Sequence, residues 1–262
     1  NLYDVVEFYN AANKQKNLVT AFIAPKCGKI SDNSAFAGCE NLTQVRLDTS
    51  KTVKIGMYCF QNCINLEVFE PRKIELISGG HYAFVNCSKL TGEFTVCNTK
   101  TIQRAAFSST QVEKVSGENV TTVEIQAFSN CLNLREVSFP NATKIGQEAF
   151  NKCARLERVD CPNVSEILHS AFSGCTSIDE SDVKILLNAG ITKLGFIGGG
   201  KFYGSIFAGC TGIKGKIIWD FPNLSTNAVP PNMFENCSSI TAVEFKTPVC
   251  EIGGGAFKGI SP

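Results

Sequence analysis

Phenylalanine followed three residues later by cysteine recurs along this chain too often, and too evenly, for an ordinary globular core. The pairs are Phe36/Cys39, Phe60/Cys63, Phe84/Cys87, Phe128/Cys131, Phe150/Cys153, Phe172/Cys175, Phe207/Cys210 and Phe234/Cys237. Phe107 with Thr110 and Phe257 with Ile260 keep the ring and lose the thiol, so ten units share one register. Successive Phe residues lie 24, 24, 23, 21, 22, 22, 35, 27 and 23 positions apart. A unit of about 22 residues cannot enclose a core alone, and it buries its apolar face only by stacking on copies of itself. The period therefore predicts a solenoid of about ten coils.

Around each Phe the pattern is Ile-x-x-x-Ala-Phe-x-x-Cys-x-x-Leu-x-x-Val-x-Φ-Pro, where Φ is apolar. One unit shows it as Ile145, Ala149, Phe150, Cys153, Leu156, Val159, Cys161 and Pro162. Phe150, Cys153 and Leu156 have helix-like spacing, which predicts one short helix or 3₁₀ turn. Val137/Phe139 and Val159/Cys161 alternate with polar residues, which predicts a strand that proline ends. The fold class is thus an α/β solenoid, with a parallel β-sheet on the concave face and short helical or 3₁₀ turns opposite. Cysteine suits the tight bend as a small, buried, weakly donating side chain. Thr110 and Ile260 fill the same position and can form neither a disulfide nor a soft-metal bond, so the position asks for size and burial. The thiols are expected to react only after denaturation.

The Ala-Phe-x-x-Cys core and the Leu-x-x-Val-x-Φ-Pro strand resemble the BspA-like leucine-rich-repeat family, in register from Ile30 to Ile260. The resemblance implies a right-handed leucine-rich-repeat stack. It also implies a secreted or cell-surface protein, bacterial in source, because the family is known chiefly from bacterial and protist surface proteins. Several of those are adhesins for host matrix proteins. The family has no shared catalytic residues to carry over.

Residues 1–26 read as an N-terminal cap and a degenerate first coil. Leu2, Val5, Val6 and Tyr9 share one helical face, and "NLVTAFIAP" follows as a strand. Residues 27–262 are the repeat array, with an irregular coil near 178–206. There Asp179 is placed to cap a short helix through Val183, Leu186 and Leu187, and "ITKLGFI" supplies a strand with Leu194 and Phe196 inward. Gly92 and Gly215 each precede a strand with one extra residue, which predicts a β-bulge. The chain starts at Asn1 without a signal peptide and stops within a coil, which suggests a trimmed or continuing polypeptide.

A net charge of +1 gives no field for nucleic acid or an anionic membrane. Apolar runs such as "VTAFIA" fall far short of the roughly 20 residues of a membrane span. "GFIGGGKF" satisfies Gly-x-x-x-x-Gly-Lys, but Phe202 replaces the hydroxyl that would hold magnesium, so a phosphate loop is not expected. His81 and His169 are four units apart, roughly 20 Å if coils stack at about 4.8 Å. They are expected on the surface and apart from any nucleophile. No Cys-x-x-Cys pair for zinc occurs, and "DESD" at Asp179–Asp182 lacks the spaced acceptors of a calcium loop. No catalytic residue, metal or cofactor is expected. Seven Asn-x-Ser/Thr triplets start at Asn41, Asn86, Asn119, Asn141, Asn163, Asn223 and Asn236, where asparagine favours turns.

The outward strand positions of a repeat array form its usual binding face. Here they are Gln44, Arg46, Val68, Glu70, Glu93, Thr95, Lys114, Ser116, Glu136, Ser138, Arg158, Asp160, Lys216, Ile218, Ala242 and Glu244. The candidates for contact are Gln44, Arg46, Glu70, Glu93, Lys114, Glu136, Ser138, Arg158, Asp160, Lys216 and Glu244. Both signs of charge interleave and no aromatic appears, which disfavours stacked sugars or bases. Two functions remain: a non-enzymatic, adhesin-like module for a host or matrix protein, or a spacer array with no ligand on this face.

Overall fold

A computed structural model describes residues 20–24, 27–30, 33–77, 79–198 and 201–260. The expected capping helix, with Leu2, Val5, Val6 and Tyr9, lies outside the described residues. Each regular coil contributes two short strands and one turn segment, and each of the three hydrogen-bonds to the neighbouring coils. The first strands are β1 (Ala21–Ile23), β3 (Gln44–Arg46), β5 (Val68–Glu70), β7 (Thr91–Val96), β9 (Gln111–Ser116), β11 (Glu136–Ser138), β13 (Arg158–Asp160), β18 (Gly215–Trp219) and β20 (Ile240–Phe245). The second strands begin with β2 (Lys29–Ile30), β4 (Val53–Ile55), β6 (Lys73–Leu76), β8 (Thr101–Ile102) and β10 (Thr122–Val123). They continue with β12 (Lys144–Ile145), β14 (Glu166–Ile167), β15 (Lys193–Leu194), β19 (Ala228–Val229) and β21 (Glu251–Ile252). All pair in parallel; only β16 (Phe196–Gly198) and β17 (Lys201–Tyr203) form an antiparallel hairpin among the described residues.

The second ladder is absent from the strand pattern read above. Its strands run β2-β4-β6, then β8-β10-β12-β14-β15, then β19-β21. Most hold two residues, too few for an alternation to show. The first strands run β1-β3-β5, β7-β9-β11-β13 and β18-β20, with the predicted bulges at Gly92/Glu93 and Gly215/Lys216. β6 joins the ladders, since Lys73 and Ile74 pair with β7 while Val53–Ile55 of β4 pair with Ile74–Leu76.

The Phe-x-x-Cys segment, expected as a short helix or 3₁₀ turn, is a pair of tight turns. Left-handed residues stand two before and two after each Phe, such as Glu148 (φ 54°) and Lys152 (φ 61°) around Phe150. The later position is Gly or Asn in eight of the ten units, which are the residues that enter this region at least cost. Turns of 3₁₀ type survive, as in Cys153 N–H to Phe150 O and Asn151 N–H to Glu148 O, both at 3.1 Å, but alternate amides point to the next coil. Glu148, Phe150 and Lys152 donate to the His169, Ala171 and Ser173 carbonyls at 3.0, 2.8 and 2.7 Å. A helix would consume these donors internally and leave the stack without its third ladder.

Ten phenyl rings, from Phe36 to Phe257, stack face to face with centroids 5.2–6.1 Å apart and planes within 15°. The thiols accompany them in a second row. Sγ of Cys63, Cys87, Cys131, Cys153, Cys175, Cys210 and Cys237 each donates to a Phe carbonyl of the preceding coil, 2.9–3.1 Å away. Phe36 O, for example, accepts the Cys39 amide of its own coil and the Cys63 thiol of the next. Thr110 Oγ1 turns instead to the Phe107 carbonyl of its own coil, at 2.8 Å. Burial pushes Cys153, Cys175 and Cys210 of the row up and Cys237 to about 11, whereas at Cys131 hydrogen bonds with Cys153 and Thr110 lower the thiol against its burial.

Two measurements follow from this packing. Phe150, fully buried between Phe128 and Phe172, should cost about 3–5 kcal/mol when replaced by Ala, read from the denaturant midpoint. The expectation that thiols react only after denaturation fails at two positions, since Cys250 is exposed and Cys97 half-buried while the other eleven thiols are buried. A thiol-reagent titration of the native protein should thus find two reactive groups, and the remainder on unfolding, because the reacting species is the thiolate.

Candidate functional site

The eleven candidate side chains all stand outward, exposed or half-buried, but they form three groups rather than one continuous face. Gln44, Arg46 and Glu70 belong to β3 and β5, where Arg46 and Glu70 pair at 2.5 Å and Arg46 Nε donates to Gln44 Oε1 at 3.2 Å. This group ends where β5 gives way to β6. Pro71 has no amide to offer, and the Arg72 carbonyl accepts the Thr95 amide of β7 instead.

The second group is the largest. Strand register places Glu93, Lys114, Glu136 and Arg158 in one row across β7, β9, β11 and β13. Lys114 and Arg158 flank Glu136 at 2.9 and 3.4 Å. A parallel row holds Thr95, Ser116, Ser138 and Asp160, with Ser138 Oγ donating to Asp160 Oδ2 at 2.8 Å. Glu113, Arg135 and Glu157 form a further row that the strand alternation missed. The Arg135 amide donates to Glu113 O and the Glu157 amide to Arg135 O, at 2.8 and 2.9 Å. The signal was present in Leu-x-x-Val, which leaves two outward residues between two inward ones. Signs alternate both along the rows and across them, Glu113/Lys114, Arg135/Glu136 and Glu157/Arg158. These six residues and Glu93 line a shallow open groove of about 360 Å³.

Lys216 and Glu244 form the third group, paired at 2.5 Å. Hydrogen bonds from the Lys216 and Lys246 ammonium groups hold the Glu244 carboxyl down at about 2. Between the second and third groups the first ladder is broken by helix α1 (Glu180–Leu186), which occupies the place of a strand. Asp179 caps it as expected, accepting from Ser181 N and Asp182 N, and Asp182 returns a bond to the Asp179 amide. Asp182 also does what the sequence did not suggest: its Oδ1 accepts the Val159 amide of β13 at 3.0 Å. Burial pushes the Asp182 carboxyl up against the lowering effect of these bonds. The strand expected in "ITKLGFI" belongs to the second ladder, where β15 pairs with β14 and Leu194 is buried. The Phe196 side chain lies outside the described residues. Gly-rich "GFIGGGKF" spans the hairpin β16–β17 and is not a strand-to-helix phosphate loop.

The histidines, expected on the surface, are half-buried in the turn ladder. Nδ1 of His81 is 4.0 Å from Glu124 Oε2, and burial lowers His169 against the opposing charge of Glu148. The nearby rings of Tyr58 and Tyr82 stack on each other at 5.1 Å, with the Arg104 guanidinium 5.8 Å from the Tyr82 ring. Those covered faces offer no platform for a sugar. All seven triplet asparagines are exposed. Asn141, Asn163 and Asn223 use their side-chain amides on carbonyls of preceding coils, Glu118, Pro140 and Ala189. Among the described residues no cluster of His, Cys, Asp or Glu is placed to hold a metal ion, and no helix is long and apolar enough to cross a membrane.

The family model described as BspA type Leucine rich repeat region matches six copies, over residues 7–119, 100–196 and 199–261. The chain belongs to this family. No curated protein matches it. Among solved structures, a leucine-rich repeat protein from Bacteroides ovatus is similar over 92% of this chain and 75% of its own, at 20% identity and TM-score 0.48. A leucine rich cell surface protein from Faecalibacterium prausnitzii is similar over 84% and 77%, at 18% identity and TM-score 0.34. A leucine rich repeat protein from T. pallidum is similar over 73% and 77%, at 24% identity and TM-score 0.39.

The charged rows of this BspA-type array are open to solvent, with 70% of the Arg158 side chain and 24% of Glu136 exposed, so their pairing adds little to folding. Glu136→Gln should move the denaturant midpoint by no more than about 1 kcal/mol in stability.

Proposed function

We propose that this chain is a non-enzymatic protein-binding module of a secreted or cell-surface bacterial protein, adhesin-like, and that the charge grid of β7, β9, β11 and β13 is its contact face. The observation that carries this reading is the grid itself. Seven acidic and basic side chains line one groove across four coils, on strands whose backbones are fixed by parallel pairing. Such a face presents hydrogen-bonding charge of both signs at a fixed spacing, and it selects a partner by complementary pattern more than by net charge. Family membership favours a surface location. A polar protein partner suits the grid better than nucleic acid, which wants uniform positive charge.

The spacer reading has its own support, because Lys114, Glu136 and Arg158 already satisfy one another. The triple variant Glu136→Ala, Arg158→Ala, Asp160→Ala separates the two readings. Attachment to a panel of immobilised extracellular-matrix proteins should fall by at least about tenfold, the scale of losing several interface charges. Its melting temperature should stay near the wild-type value. Attachment equal to wild type would remove this face and leave the spacer.

A further inference from the structure

The two charged rows of the grid are not equivalent. In the strand row, Lys114 and Arg158 are ion-paired to Glu136 within the chain. In the row beside it, Glu113, Arg135 and Glu157 stand exposed and have no ion pair or side-chain hydrogen bond among the described residues. Each of these three lies one residue before a member of the strand row and carries the opposite sign. Signs also alternate from strand to strand within each row, because register sets Lys114, Glu136 and Arg158 side by side. The six charges form a checkerboard of two rows across β9, β11 and β13.

Such a checkerboard fits itself when turned over. A two-fold axis in the plane of the face, parallel to the stack and between the rows, lays the outer row of one copy on the strand row of another. Glu113 then meets Lys114 of the second copy, Arg135 meets Glu136, and Glu157 meets Arg158, and symmetry repeats each contact. All six contacts join unlike charges. An axis between β9 and β11 also opposes unlike signs, Glu113 to Arg135 and Lys114 to Glu136. Pitch selects the same partner. Strands repeat at about 4.8 Å, and a complementary surface must hold alternating charges at that spacing over three layers. An identical ladder does so without adjustment, and it serves the row that the chain itself leaves unpaired.

We infer that the charge grid is a homophilic contact, at which a second copy of this chain docks face to face with its strands antiparallel. The inference rests on the reading of the grid as the contact face and names the partner for it. Exposed charges supply the contact, so association is weak and sensitive to salt.

Sedimentation equilibrium up to about 1 mM protein should show a monomer–dimer equilibrium in about 20 mM salt, with a dissociation constant at or below about 1 mM. It should weaken at least about threefold in about 0.5 M salt. Arg135→Glu sets like charges against Glu136 of the copy twice over and should weaken association at least about tenfold. The decisive variant inverts every sign at once: Glu93→Lys, Glu113→Lys, Lys114→Glu, Arg135→Glu, Glu136→Arg, Glu157→Arg and Arg158→Glu. It keeps the alternation, so it should associate with itself within about threefold of wild type, yet bind labelled wild-type chain at least about tenfold more weakly. The inference is overturned by a monomeric wild type, by a folded Arg135→Glu variant that associates as wild type does, or by mixed pairs as tight as like pairs. A monomeric wild type whose attachment to matrix proteins still falls in the triple alanine variant removes the homophilic contact alone and keeps the grid as a contact face.

Discussion

A coil of this chain has no inside until another coil lies against it. The Phe ring, the thiol and the amides of the turn all find their partners one layer away. The clearest expression is the Phe carbonyl, which accepts an amide from its own turn and a thiol from the next coil. One oxygen thereby closes the bend and ties the layers. Burial raises thiols of the row such as Cys175 and Cys237, which keeps those protonated and able to donate, so there the environment that hides cysteine also preserves the bond it makes. The ring stack adds dispersion along the same axis, and two left-handed residues per turn hold the carbonyls and amides pointing along it. Cooperation between neighbouring layers, not the propensity of any segment, is what stabilises the array.

How much of this was legible depended on what each feature left in the residue pattern. Phe recurs in all ten units and Cys in eight of them, so the register and number of coils could be read directly. Gly92 and Gly215 marked bulges because an inserted residue shifts the alternation, and Asp179 marked a helix start because capping is local chemistry. The second ladder left no comparable trace. A two-residue strand such as Lys144–Ile145 has no period, and its identity comes from hydrogen bonds to other coils. The turn was misleading for a related reason. Three-residue spacing from Phe150 to Cys153 fits a helix, and only the repeated Gly or Asn two residues after the ring hints that the backbone turns left-handed.

The candidate face was legible residue by residue but not as a surface. Alternation identified Lys114, Glu136 and Arg158 as outward, yet it omitted Glu113, Arg135 and Glu157, because the approach to a strand is not itself alternating. Only the ladder turns these into a grid, since side chains about 22 residues apart in sequence become neighbours at the strand spacing. Opposite charges at that spacing quiet a row that would otherwise repel itself. The same arrangement leaves the seven grid residues nearly balanced at long range, four acids against three bases, and patterned at short range, which favours discrimination at contact over electrostatic capture from a distance.

The irregular coil shows what the repeat cannot do by itself. A perfect ladder satisfies every edge and so offers a partner side chains only. Replacing one strand with α1 exposes main chain, which is a hazard in a sheet because open edges invite unwanted pairing. The two sides of the break are treated differently. On β13, Asp182 blocks the Val159 amide with a buried carboxylate, even though burial raises its pKa and makes that ion costly to hold. β18 has no such block among the described residues, and its flank sets Glu180 and Lys184 of α1 beside the apolar Val183 and Leu187. An interruption that served only to change direction would gain from protecting both edges.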